Sequence, residues 1–165
     1  MKKPNQNMEG VPWKQHPESD RVLNDAIAIA REVVRLEAKS KLKKAVLHTL
    51  VWNVTASEGK YKNDTRYYSM AALKEGTQRI HEHVFERAYL VKRILEKQDR
   101  LSDYFKHAVS CVVTVDEDTA LTEKGKGRIG WDRYTAAGID VLDRKTGKLA
   151  DLEKLQRSAI SDFGS

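Results

Sequence analysis

From Ser19 onward, apolar residues return at three- and four-residue steps, and this recurrence limits what the chain can become. In "SDRVLNDAIAIAREVVRLEAKSK", Val22, Ala26, Ile29 or Ala30, Val33 and Leu36 fall on one helix face. Ser19 or Asp20 can cap its start, and Lys39 and Lys41 suit its carbonyl-rich end. "KLKKAVLHTLVWNV" carries a second stripe, Leu42, Val46, Leu50 and Val54; no Gly or Pro separates the two runs, which are compatible with one long helix or two. The same spacing returns in Val84, Ala88, Val91 and Leu95 and in "LADLEKLQRSAISDF". The one strong strand signal is "SCVVTV" at 110–115, short, β-branched and bounded by polar residues. The balance predicts an α+β class, mainly helical, with one small β-sheet.

Between these runs the punctuation is clear. Residues 1–18 hold all three prolines and no periodicity, which predicts a flexible arm before a single domain over 19–165. Within that domain, 19–56 is a helical half, 64–145 a mixed α/β part and 148–163 a C-terminal helix. "TASEGKYKNDTR" is a break, and "YYSMAAL" is predicted as a short helix stopped by Gly76. "DEDTALTE" is placed to start a helix straight after the strand, and "KGKGRIG" reads as a flexible basic loop. "WDRYTAAGIDVLDRKTGK" predicts a short helix ended by Gly138, a strand "IDVL" and a turn at Lys145-Thr146-Gly147. There is no internal repeat.

Composition excludes several classes. The 165 residues suffice for one core, and no apolar run approaches the roughly 20 residues of a membrane span. The start, "MKKPNQNMEG", has the basic residues of a signal peptide without an apolar stretch behind them. Cys111 stands alone, so no intramolecular disulfide forms and a Cys-based zinc site is ruled out; a cytoplasmic protein is expected. Its place in "CVVTV" suits a buried small hydrophobe better than a nucleophile. A net charge of +6 favours a polyanionic partner such as nucleic acid.

The densest chemistry lies in "RIHEHV", residues 79–84. If the segment is extended, His81 and His83 share one face and Glu82 points the other way. If it begins a helix, the three fan apart. Its short spacing to the helical run after Val84 favours a strand or tight turn feeding a helix, a junction where a His is rigidly held yet reachable as a base or ligand. The plainer alternative is a polar edge beside a core helix. No HExxH, Walker loop or GxGxxG is present, and "GKGRIG" lacks the terminal Gly-Lys-Ser/Thr of a phosphate loop.

The order "HEHV", helix, "CVVTVDED" and "GWDRYTAAGI" resembles small bacterial and phage proteins related to the HNH, or His-Me finger, nucleases, over roughly residues 67–143. The resemblance implies a ββα-metal-like core and metal-dependent phosphodiester hydrolysis. His83 would activate water, Glu82 would be an orienting acid or metal ligand, and Asp118 would stand where a helix-borne His ligand is common. It implies a divalent metal, Mg or Mn ahead of Zn, because carboxylate oxygens suit hard ions, and a nucleic-acid partner, DNA ahead of RNA. Three departures accompany it. Glu86 stands in place of Pro, Asp118 in place of His, and the helix 84–97 fills the linking loop.

Basic residues fall in three clusters: Arg35, Lys39, Lys41, Lys43 and Lys44; Arg87, Lys92, Arg93, Lys97 and Arg100; and Lys124, Lys126, Arg128 and Arg133. The third is the candidate phosphate contact, with Trp131 beside it as a stacking platform or, alternatively, a core anchor. The second interleaves with Glu86, Glu96 and Asp99 and reads as a solvated face. A non-catalytic phage- or plasmid-type binding module therefore competes with the nuclease reading. Self-association through the apolar face of residues 19–56 is compatible with both.

Overall fold

The computed structural model describes residues 13–57, 65–74 and 76–164. Among these it has seven α-helices and one five-stranded sheet, a mainly helical α+β fold. Helices α1 (Ser19–Arg35) and α2 (Ser40–Ala56) are separate and pack on each other. The break needs neither Gly nor Pro. Leu36 and Lys39 adopt extended ψ angles of 139° and 135°, and Lys43 Nζ donates to Val34 O at 3.0 Å, satisfying a terminal carbonyl of α1. Ala30 rather than Ile29 faces inward. On α2 the buried stripe is Leu47, Leu50, Val51 and Val54, whereas Leu42, in the first turn of the helix, is 60% exposed. Of the expected arm, residues 1–12 lie outside the described residues. Trp13 N donates to Arg144 O at 3.3 Å and ties the remainder to the domain.

The strands are β1 (Tyr67–Ser69), β2 (Arg79–His83), β3 (Ser110–Thr114), β4 (Val141–Asp143) and β5 (Lys148–Leu149), in the order β2-β3-β1-β4-β5. β1 and β3 run parallel; the other neighbours are antiparallel. β1 corrects the helix expected at "YYSMAAL", of which only Ala71–Leu73 is helical, as a 3-10 turn. Tyr67 packs its ring on Trp131 at 4.9 Å, while Tyr68 joins Ala72 and Val112 on the other face. A strand buried on both faces has no polar alternation, so its period is hidden in the sequence.

Helix α3 (Arg87–Glu96) begins after the buried Val84 and Phe85, and a 3-10 turn then leads into α4 (Leu101–Lys106). Helix α5 (Val115–Glu123) starts directly from β3 through a capping box of Thr114 and Glu117. Helix α6 (Trp131–Ala137) ends at Gly138, whose φ of 69° suits a residue without Cβ. Helix α7 (Leu152–Phe163) closes the core. Its Phe163 ring lies 5.2 Å from Phe85, 5.3 Å from Tyr104 and 5.1 Å from His107.

The second basic cluster has a structural use. Arg93 Nη2 donates to Phe163 O (3.4 Å), Lys97 Nζ to Gly164 O (2.5 Å) and Arg100 Nη1 to Asp162 O (3.0 Å). Three cations thus cap the carbonyl end of α7, where the helix dipole favours positive charge.

Candidate functional site

Because β2 is a strand, its side chains alternate. It pairs with β3 in the register His81↔Val112, Glu82↔Cys111 and His83↔Ser110. His81 and His83 therefore share one face of the sheet, and Glu82 projects from the other.

On the Glu82 face, covered by α5 and α6, Arg133 Nη1 donates to Glu82 Oε1 at 3.0 Å and to His83 O at 3.5 Å. Burial pushes Glu82 above the usual carboxylate range, more than the Arg133 charge and hydrogen bond pull it down, and the negative charge of Asp118 adds to the rise. What stands at Glu82 is a guanidinium. Burial likewise lifts the Tyr134 hydroxyl and the Cys111 thiol well above their ordinary values, which leaves Cys111 an inert core residue. Glu117 Oε2 accepts from Ser69 Oγ (2.5 Å) and Thr114 N (2.9 Å), so this carboxylate is occupied in joining β1 to the start of α5. A cavity of about 420 Å³ opens beside it, lined by Lys74, Gly138 and Asp140 among others.

On the opposite face His81 Nε2 and Ser110 Oγ share a hydrogen bond of 2.8 Å. The His83 ring stacks on Trp52 of α2 at 5.3 Å and 26° between planes, and the guanidinium of Arg87 lies 5.1 Å from the centre of the Trp52 ring.

These positions decide several expectations. Glu82, His83 and Asp118 do not gather round one ion, because the sheet stands between His83 and the two carboxylates. Among the described residues no three His, Cys, Asp or Glu side chains form a group suited to a metal. A divalent ion at Glu82 would also have to displace Arg133. The donor set does not fit the metal that the resemblance implies, and no reaction step follows from it.

Of the candidate nucleic-acid residues, two are corrected. Trp131 is 2% exposed, packed on Tyr67 and Tyr134, so its ring is not offered to a base. Arg133 is 6% exposed and consumed by Glu82. Lys124, Lys126 and Arg128 are exposed on the loop between α5 and α6. That loop is less free than its glycines suggested. A Cβ at Gly125 would strike the Leu121 carbonyl, and one at Gly130, where φ is 60°, would strike the Phe85 ring. Only Gly127 of the three stands in open space.

A second place for chemistry lies between α2 and α3, where a groove of about 540 Å³ is lined by Lys44, His48, Ala88, Val91, Lys92 and Leu95, with Glu96 at its edge. Burial, then the charges of Arg87 and Lys44, hold His48 below the usual imidazole range. The sequence carried a signal for this site that the apolar stripe obscured. Lys44, His48 and Trp52 recur every four residues, tracing a second face of α2. No protein-family model matches this chain, and neither a curated protein nor a solved structure does.

Proposed function

We propose that the chain is a nucleic-acid-binding module that grips its ligand without cutting it. The supporting observation is how the fold divides its charged groups. Arg133, Arg93, Lys97 and Arg100 are committed to internal bonds, and Glu82 and His83, the residues of the nuclease reading, are separated by the sheet. Lys124, Lys126 and Arg128 are exposed and, among the described residues, hold no carboxylate. Together with the net charge of +6 they form the kind of surface that neutralises phosphates and releases counterions. DNA is the ligand to try first, ahead of RNA. No helix among the described residues is long and apolar enough to cross a membrane.

The test is fluorescence anisotropy with labelled single-stranded and duplex oligonucleotides over a salt series, beside a cleavage assay with Mg²⁺, Mn²⁺, Ni²⁺ or Zn²⁺. Binding that falls steeply with salt, without cleavage, is expected. Metal-dependent cutting that disappears in both Glu82→Gln and His83→Ala would return the His-Me finger reading in its place.

A further inference from the structure

Strands β1 and β3 run parallel and side by side, and the chain leaves their carboxyl ends toward opposite faces of the sheet. After β1, Ala72 and Leu73 turn onto the face of Tyr68 and Val112. After β3, α5 lies on the Cys111 face, where its Leu121 joins the main core. Connections that part in this way open a crevice beyond the strand ends, and open parallel sheets hold their ligands in such crevices. The cavity of about 420 Å³ beside Glu117 is that crevice, and its volume lies within the roughly 300–1,000 Å³ typical of small-molecule sites.

We propose that this cavity binds a small organic ammonium compound, an amine or an amino acid, with the ammonium at Glu117 and Asp140. It stands independently of the nucleic-acid reading. Glu117 is already oriented for the task. Its Oε2 accepts from Ser69 Oγ and Thr114 N, while among the described residues nothing bonds to Oε1. Asp140 is placed by its main chain, whose carbonyl accepts from Met70 N at 2.9 Å, and its side chain is exposed.

The other walls exclude an anion. The first turn of α5 carries Asp116, Glu117 and Asp118, and its capping box already uses Glu117 N and Thr114 N. Helix α6 ends at Gly138, which also lines the cavity, so partial negative charge from its last carbonyls adds to that of the two carboxylates. Lys74 is the one basic residue of the lining, and it is exposed at the rim. A ligand there needs positive charge and hydrogen-bond donors. Met70, Ala71 and Leu73 complete the lining, so a short hydrocarbon part is accommodated as well.

Amide NMR spectra of the full chain can be followed while three probes of one shape are added. They are leucine, 3-methylbutylamine, which lacks the carboxylate, and 4-methylpentanoate, which lacks the ammonium. Saturable shifts at residues 69–74, 114–118 and 138–140 are expected with an ammonium probe. 4-Methylpentanoate should bind at least about tenfold more weakly, since its charge meets two carboxylates. Leucine ahead of the amine makes the ligand an amino acid, its own carboxylate on Lys74; the reverse order makes it an amine. Glu117→Gln keeps the capping box, because Gln serves at that position as Glu does, so the thermal midpoint should hold. Its affinity for the ammonium should nevertheless fall more than about tenfold. Asp140→Asn changes an exposed side chain and should cost about threefold in affinity without touching the fold. No saturable shift with either ammonium probe, equal binding of 4-methylpentanoate, or full binding by either variant overturns the site.

Discussion

The molecule has two charged clusters on two sides of the sheet, and they are built on opposite principles. Beneath α5 and α6, Glu82 and Arg133 face each other at 3.0 Å, largely out of water. Between α2 and α3, Lys44, His48 and Lys92 line a groove with the single acid Glu96 at its edge. Inside a protein a charge must be matched or neutralised, so the first cluster belongs to the fold. At a groove open to solvent a charge is tolerable without a fixed partner, so the second makes no such demand on the fold. A charged residue in a sequence does not declare which kind it is; burial does.

The largest effect is expected where the buried pair is broken from its basic side. Arg133→Ala leaves Glu82 without its cation and should lower stability by about 3–5 kcal/mol in urea unfolding. Glu82→Gln keeps shape and hydrogen bonding and should cost far less. Equal losses from the two would mean that the pair stabilises the fold outright. Next is Gly130→Ala, which meets both a positive φ and the Phe85 ring and should cost more than about 1 kcal/mol, read from the thermal midpoint.

Smaller effects of opposite sign should appear against pH. Burial alone would raise Asp143, but hydrogen bonds from Arg66 at 2.8 and 2.7 Å and from Lys145 N hold it below its ordinary value. Its share of stability is complete above the ordinary carboxylate range and is lost as pH falls through the lowered value. Glu82, raised, behaves in reverse: its share is complete in acid and fades as pH rises through the raised value. Unfolding free energies from about pH 3 to 7 should show Asp143→Asn flattening the acid limb and Glu82→Gln the other. Loss of the acid limb in Glu82→Gln would reverse the assignment.

The smallest change in stability should come from Lys124→Ala, Lys126→Ala and Arg128→Ala combined, since none of the three packs inside. Yet this variant should weaken oligonucleotide binding across all sequences and flatten its salt dependence by about 2–3 in slope. An unchanged slope would take the loop between α5 and α6 out of the binding surface.

Much of the fold was legible. Helices α1, α2 and α7 announce themselves because an amphipathic helix must repeat its apolar face every turn. Strand β3 announces itself by β-branched residues, and β2 by its short link to α3. Strand β1 does not, since Tyr67, Tyr68 and Ser69 are all buried and show no alternation. Helix α4, only six residues long, is too short to establish a period in the sequence.

The site divides along the same line. The sequence by itself determined that Glu82 would point away from His81 and His83 once the segment was extended, because strand geometry alternates. It also set the excess of basic charge. Only the tertiary structure decided which cations are free. Arg133 meets Glu82 from 51 positions away, and Arg93, Lys97 and Arg100 meet the end of α7 from more than 60. Such partners are brought together by packing of the core, and no local pattern encodes them. The same packing sets Arg87 over the Trp52 ring, 35 positions back along the chain, and so makes a groove from two helices that the sequence shows only one at a time.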